Sequence, residues 1–274
     1  GAGGTNRKTA ASRLKTYIGS GTTLTGSTNN QVTTVSGANA IVGEAGLIFD
    51  GSKLGIGTST MTRTLNVTDT TASASTGIQL IGANDGTQFL NFGDTDDTNV
   101  GEINYDHSTN KMNFRTNDAY AMVIDSAGTV TKPLQPGFSA TKSTSAQAVN
   151  AAYVDVNFNN EIWDNNADWN GSTTFTAPVT GKYMLTGAIR INSILAQGGS
   201  VFGRINTSNR PYVFGNITDA DDIANATIAA YQFQGAVVAD MDANDTATLD
   251  FFSNFATTIA ADGERVWFQG YLLG

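Results

Sequence analysis

Few side chains in this sequence could do chemistry, and most of those are carboxylates. His107 is the single histidine, set in Tyr105-Asp106-His107-Ser108-Thr109-Asn110. An acid, an imidazole and a hydroxyl that are neighbours in sequence cannot act as a nucleophilic triad, whose members converge from separate segments beside an oxyanion hole. His107 is therefore expected in an exposed turn. No Gly-x-Ser-x-Gly elbow or Walker-type loop occurs, and no helix pattern follows Gly55-Ile56-Gly57 to make it a dinucleotide fingerprint. The chain has no cysteine, which excludes disulfides, thiolate chemistry and zinc-ribbon sites. On this inventory the chain is expected not to be an enzyme.

The acids gather in three clusters: Asp94, Asp96 and Asp97; Asp219, Asp221 and Asp222; and Asp240, Asp242, Asn244 and Asp245. Alternating oxygen ligands on a loop would suit a hard cation such as Ca2+, although none of the three has EF-hand spacing. Asp240, Asp242 and Asp245 are the metal candidates; turn-forming Asp exposed to water is the competing expectation, and no other cofactor is expected. Aromatic residues give a second set of candidates. Trp163 and Trp169 lie in the Asn-rich stretch 159–171, and Tyr212 and Phe214 follow Pro211. Flat apolar faces beside amides suit recognition of a sugar or a protein, so these four are receptor-binding candidates, with burial in a core or an interface as the alternative. Trp267, inside an apolar run, is expected in the core.

The elements that must carry these residues read as strands. Only 14% of the 274 residues are charged, 30 are glycine, and helical periodicity is scarce, so an all-β architecture rich in turns is expected. The formal net charge of −9 argues against nucleic acid as a partner, since phosphate binding rests on clustered Lys and Arg. No apolar run is long enough to span a bilayer, and no membrane insertion is expected. The chain begins at Gly, without a visible signal peptide, and a processed or incomplete N-terminus is expected. Charge is uneven: residues 1–20 carry Arg7, Lys8, Arg13 and Lys15 and no acid, whereas residues 133–274 carry 6 basic and 13 acidic side chains.

Four segments follow. Residues 1–20 form an attachment segment, with a short helix over 5–18 in which Ala10, Ala11, Leu14, Tyr17 and Ile18 share a face and Gly19 stops the helix. Arg7, Lys8, Arg13, Leu14, Lys15 and Tyr17 are the attachment candidates. Residues 21–60 form a β-rich stem with a tight turn at Asp50-Gly51. Residues 61–132 hold five short strands: Gly77–Ile81, Gln88–Phe92, Val100–Tyr105, Lys111–Arg115 and Ala121–Ile124. Each has one apolar face, and a patch of this size from one chain buries too little to stand alone. Three chains stacking those faces on a threefold axis would solve the problem. A linker, Thr129–Pro136, with Pro133 and Pro136, leads to a head over residues 133–274. Within the head, Phe175–Tyr183 reads as a strand, a bend at Pro178 and a second strand, the corner of a hairpin.

Three head segments carry a family resemblance. Pro136-Gly-Phe-Ser-Ala140, Phe175-Thr-Ala-Pro-Val-Thr-Gly-Lys-Tyr183 and Val266-Trp-Phe-Gln-Gly-Tyr-Leu-Leu273 together resemble, in order, the globular head of the complement C1q and tumour-necrosis-factor superfamily. The resemblance implies a ten-stranded jelly roll, a tight homotrimer and a partner-binding rather than enzymatic role. Some such heads bind calcium through acidic apical loops, but Asn244-Asp245-Thr-Ala replaces the family's Gly-Asp-x-Val, so no ligand carries over. Lys8–Gly19 resembles N-terminal pieces of phage appendage proteins, and Leu47–Gly57 resembles a module of phage tail fibres and related trimeric adhesin shafts.

Together these resemblances imply an elongated homotrimer on a virion, facing the extracellular medium. Its N-terminus would dock on a baseplate, tail or other appendage protein, and its head would recognise a host surface glycan or protein. A purely structural trimerisation or capping subunit, and a bacterial surface or spore adhesin of the same fold, are the alternatives. A polysaccharide depolymerase would need carboxylates paired across a groove.

Overall fold

The computed structural model describes residues 23–25, 30–37, 40–192, 199–218 and 230–274. The expected helix over 5–18, its six attachment candidates and the cluster Asp219, Asp221 and Asp222 lie outside the described residues. The described residues are all-β, with strands and turns and no helix. They fall into two compact units that meet between Ile81 and Gly82.

The first unit carries one sheet of β1 (Thr23–Thr25), β2 (Gln31–Gly37), β3 (Ala40–Phe49), β4 (Leu54–Ile56) and β5 (Leu65–Val67). The β3–β4 hairpin turns at Asp50-Gly51, as expected. Asp50 Oδ1 accepts the N–H groups of Ser52 and Lys53 at 3.0 and 2.8 Å, and Gly51 takes the positive φ of 97°. Because β5 pairs in parallel with β4, this sheet continues past residue 60, the expected end of the stem. Gly77–Ile81 is not a strand, and Ile78 and Ile81 are 73% and 81% exposed. Its apolar alternation suits a strand, but it has no ladder partner among the described residues.

The second unit opens with a meander of β6 (Thr87–Phe92), β7 (Gly101–Asp106), β8 (Lys111–Thr116), β9 (Ala119–Ile124) and β10 (Val130–Thr131), paired in chain order. The fifth strand is thus β10, in the segment expected to be linker. Asx turns close the hairpins. Asp106 Oδ1 accepts Ser108 N–H and Asp125 Oδ1 accepts Ala127 N–H. The register puts Leu90, Ile103, Phe114 and Met122 in one cross-strand row, with Tyr105, Met112 and Ile124 beside it on the same face. The other face carries a polar ladder. Asn113 Nδ2 donates to Asn104 Oδ1 at 2.7 Å, Asn104 donates to Glu102, and Arg115 lies 4.0 Å from Glu102.

From Gly137 the chain folds into two facing sheets. Its strands are β11 (Gly137–Thr141), β12 (Gln147–Val149), β13 (Ala152–Asp155), β14 (Asn160–Asp164), β15 (Thr174–Thr176), β16 (Gly181–Asn192), β17 (Val201–Thr207), β18 (Pro211–Ile217), β19 (Ala230–Met241), β20 (Thr246–Ser253), β21 (Thr257–Ile259) and β22 (Trp267–Leu272). One sheet runs β14-β11-β22-β16-β19, with β12 and β21 joining the far end of β16; the other runs β13-β20-β17-β18, with β15 also on β20. Numbering β11, β15, β16, β17, β18, β19, β20 and β22 as strands one to eight, the sheets read 1-8-3-6 and 2-7-4-5. That interleaving of first with last is the winding of a double-Greek-key jelly roll. Among the described residues the head has twelve strands where ten were expected, since β12, β13, β14 and β21 stand beside the eight of the jelly roll.

The core between the sheets is aromatic. Phe138 stacks on Trp169 and Phe175, with ring centroids 5.0 and 4.7 Å away, and meets Phe268 edge-on at 5.0 Å. Phe175–Tyr183 is a corner but not a hairpin. β15 pairs with β20 in one sheet and β16 pairs with β19 and β22 in the other, so the bend at Pro178 carries the chain between layers. The fully buried Tyr183 pins that bend by donating its hydroxyl to Val179 O at 2.7 Å.

Candidate functional site

Strand alternation decides which residues the head can offer to a partner. Along β16, Tyr183, Leu185, Ile189 and Ile191 are buried, which turns Met184, Thr186 and Ala188 to the outer face of the first sheet. Along β22, Phe268 and Gly270 point inward and Trp267, Gln269 and Tyr271 outward. Trp267, expected in the core, is therefore on the surface side and half-buried.

The register assembles these outward residues into three rows. Trp163, Ser139, Gln269, Thr186 and Ala236 form the middle row across β14, β11, β22, β16 and β19. Tyr271, Met184 and Val238 form a second, and Trp267, Ala188 and Gln234 a third. A shallow hollow of about 350 Å³ lies between Trp267, Thr186 and Gln234–Ala236. None of these eleven positions is charged, although Tyr271, Val238 and Trp163 are 48%, 47% and 41% exposed. Charges flank the rows along β16 and β19. Lys182 faces Asp240 in register at one end; at the other Arg190 donates to Asp262 at 3.1 Å. Loss of charge with retention of aromatic, Met and amide groups is the composition of an interface centre.

Of the four aromatic candidates only Trp163 belongs to this face. Trp169 is 5% exposed, and the loop around it explains why. The Asp164 carboxylate accepts the N–H groups of Asn166, Asp168 and Trp169 at 3.3, 3.1 and 2.9 Å, folding the loop back so that the indole enters the core. The same burial, with Asp164 close by, raises the pKa of Asp168 above the usual carboxylate value. Tyr212 and Phe214 pair opposite Ile205 and Gly203, which face the core, and both pack against it. Val213, between them, points outward. Of the expected receptor-binding aromatics, Trp169 is thus in the core, and Tyr212 and Phe214 are half-buried against it.

The metal candidates are held by protein groups. Asp240 is paired with Arg210 at 2.6 Å, and this guanidinium together with backbone hydrogen bonding keeps its pKa below the usual value. Asp245 accepts Ser208 Oγ at 2.7 Å, Asn209 Nδ2 at 2.8 Å and the N–H of Asp242 at 2.7 Å. These bonds brace the β19–β20 turn against the β17–β18 turn. Among the described residues no group of three or more His, Asp or Glu is placed to hold a metal ion. In the same way the Asp94 carboxylate is taken up by the N–H groups of Asp96 and Asp97 at 2.9 and 3.0 Å. His107 is half-buried, its ring edge-on to Tyr105 at 4.8 Å, rather than fully exposed.

No family model matches the chain, and no curated protein does. Among solved structures the chain is similar to the globular domain of zebrafish complement 1qA protein, at 18% identity over 51% of this chain and 98% of that one, with a TM-score of 0.37. It is also similar to murine APRIL, at 9% identity over 51% of this chain and 99% of that one, with a TM-score of 0.38. These likenesses are weak, and the jelly-roll assignment of residues 137–272 rests on the strand order of the chain itself.

Proposed function

We propose that the chain is a homotrimeric, non-enzymatic subunit of a virion appendage, a tail-fibre-like protein whose C-terminal head contacts a host surface glycan or protein. The observation that carries the trimer is the set of three uncharged rows across the β14-β11-β22-β16-β19 sheet, on which Tyr271, Val238 and Trp163 stay exposed in a single chain. The apolar face of the meander supports it. A single-layer sheet with Leu90, Phe92, Ile103 and Phe114 on one side needs cover, and two further copies of itself would supply it. Three heads would then present three equivalent weak sites, with avidity exceeding single-site affinity by roughly 10²–10⁴ where geometry allows joint contact. The virion setting, extracellular-facing with an N-terminal baseplate, tail or appendage partner, rests on the resemblances of Lys8–Gly19 and Leu47–Gly57.

The inward turn of Trp169, Tyr212 and Phe214 favours a second reading, a head that serves only to trimerise and cap the appendage. Fluorescently labelled full chain, added to candidate host cells, separates the two. Saturable adsorption that a Tyr271→Asp variant loses together with its trimeric mass supports recognition. A trimer that adsorbs to no cell supports the cap and overturns recognition.

A further inference from the structure

The outer face of the second head sheet carries a charge arrangement that trimer contact through the first sheet does not use. Asp155 at the end of β13, Asp250 on β20 and Arg204 on β17 are consecutive partners across three strands. Asp250 is 1% exposed. Its Oδ2 accepts both Nε and Nη2 of Arg204 at 2.8 Å, and its Oδ1 accepts Thr248 Oγ1 at 2.6 Å. The same guanidinium lies over the Tyr153 ring, 3.8 Å from its centroid. Arg204 is thus held by Asp250 and Tyr153 and supplies one positive charge. Asp155, the register partner of Asp250 on the neighbouring strand, brings a second carboxyl beside it on the same face of the sheet.

Two carboxylates and one guanidinium leave a surplus negative charge at a partly desolvated position, and like charges at this range disfavour joint ionisation. We infer that Asp155 and Asp250 share one proton, and that the proton governs how tightly β13 seats on the outer sheet. β13 is a four-residue edge strand whose ladder among the described residues is with β20; Tyr153 anchors its middle on Phe202 and Phe252, so the carboxyl pair acts on the Asp155 end. Protonated, the pair forms a carboxyl–carboxylate hydrogen bond that ties the end of β13 to β20. Fully ionised, it pushes the strand away.

Burial, then the hydrogen bond from and the charge of Asp250, raise the pKa of Asp155 from 3.8 to about 6, against a smaller opposing effect of Arg204. Among the described residues these are the charges facing Asp155: Asp250 from β20 and Arg204 from β17. A raised folded-state pKa gives stability that is full below about pH 4 and lost as pH rises through 6. The shift alone corresponds to about a hundredfold in the folding constant over the full range, of which about tenfold falls between pH 5 and 7.5; solvent screening of the exposed Asp155 reduces that tenfold to roughly threefold.

The test compares full-length wild type with Asp155→Asn at one protein concentration, by chemical denaturation at pH 5 and pH 7.5. Because other carboxylates titrate in both proteins, the readout is the difference between them. The expected result is wild type losing roughly threefold in folding constant relative to Asp155→Asn on going from pH 5 to 7.5, with the variant at least as stable at pH 7.5. A difference that does not change with pH overturns the inference. Carboxyl NMR of wild type needs no variant: Asp155 titrating near 6 supports the shared proton, and titration near 4 contradicts it.

Discussion

The acids of this chain act chiefly as turn and loop builders. Asp164 is the strongest case, since three backbone N–H groups converge on its carboxylate and the resulting fold of the loop seats Trp169 beside Phe138. Asp164→Ala is expected to lower head stability by about 1–3 kcal/mol, the range for buried donors left without an acceptor, measured by urea unfolding. Asp106 shows the same chemistry at the surface. Ser108 and Thr109 hydroxyls and backbone N–H groups hold its pKa down to about 2. A depressed pKa means its contribution is present above pH 4 and is lost as pH falls through 2, so a carboxyl NMR titration should place its midpoint near 2. The residue types made turns legible from sequence. Two neighbours bear this out: Asp94 and Asp125 cap the turns their Asp-x-Asp and Asp-x-x-Gly contexts suggest. Which aromatic faced outward was not legible, because Trp163 and Trp169 share one Asn-rich stretch. Only the Asp164 contacts, a matter of loop geometry, send one to the surface and the other to the core.

At the scale of elements, alternation along long strands was readable but its phase was not. Val266–Leu273 is apolar almost throughout, so sequence could not say that Phe268 would point in and Trp267 out; pairing with β16 fixes that. The corner at Phe175–Tyr183 was placed correctly and connected wrongly, since a bend at Pro178 serves a cross-layer connection as well as a hairpin. Gly77–Ile81 has the composition of a strand and lacks a ladder partner among the described residues, a failure of local pattern against long-range pairing. Glycine marks close packing at one seam. A Cβ on Gly235 would lie 2.5 Å from Phe214 Cγ, and one on Gly203 would lie 2.6 Å from the same ring. Phe214 therefore fills the gap between β17 and β19 that two missing side chains leave. Gly235→Ala is expected to destabilise the head by about 1–3 kcal/mol, the usual cost of overpacking. Gly46→Ala on β3, where nothing lies within 4 Å of the added methyl, should change stability by less than about 0.5 kcal/mol in the same assay.

For the whole molecule, the low charge density read from the sequence acquires a place: eleven uncharged positions in three rows on one head sheet, and an apolar face on the meander. Ser139 and Ala188 are already covered within the chain, but Tyr271, Val238 and Trp163 on the rows and Leu90 and Phe92 on the meander stay exposed, and both faces belong to sheets whose opposite faces are satisfied, by the aromatic core in one case and the Glu102–Asn104–Asn113 ladder in the other. The resemblance of three head segments made the jelly roll legible in the sequence. The interface rows were not, because they depend on a register that joins residues more than a hundred positions apart, such as Ser139 with Gln269. Burying those rows against copies of the chain is the central claim, and sedimentation equilibrium of the full-length protein at micromolar concentration tests it most directly. The account predicts a mass of three times 28.7 kDa for the wild type, falling toward 28.7 kDa when Val238→Asp places a carboxylate in the second row. A wild-type mass of 28.7 kDa at that concentration, or a trimer unaffected by Val238→Asp, would contradict it.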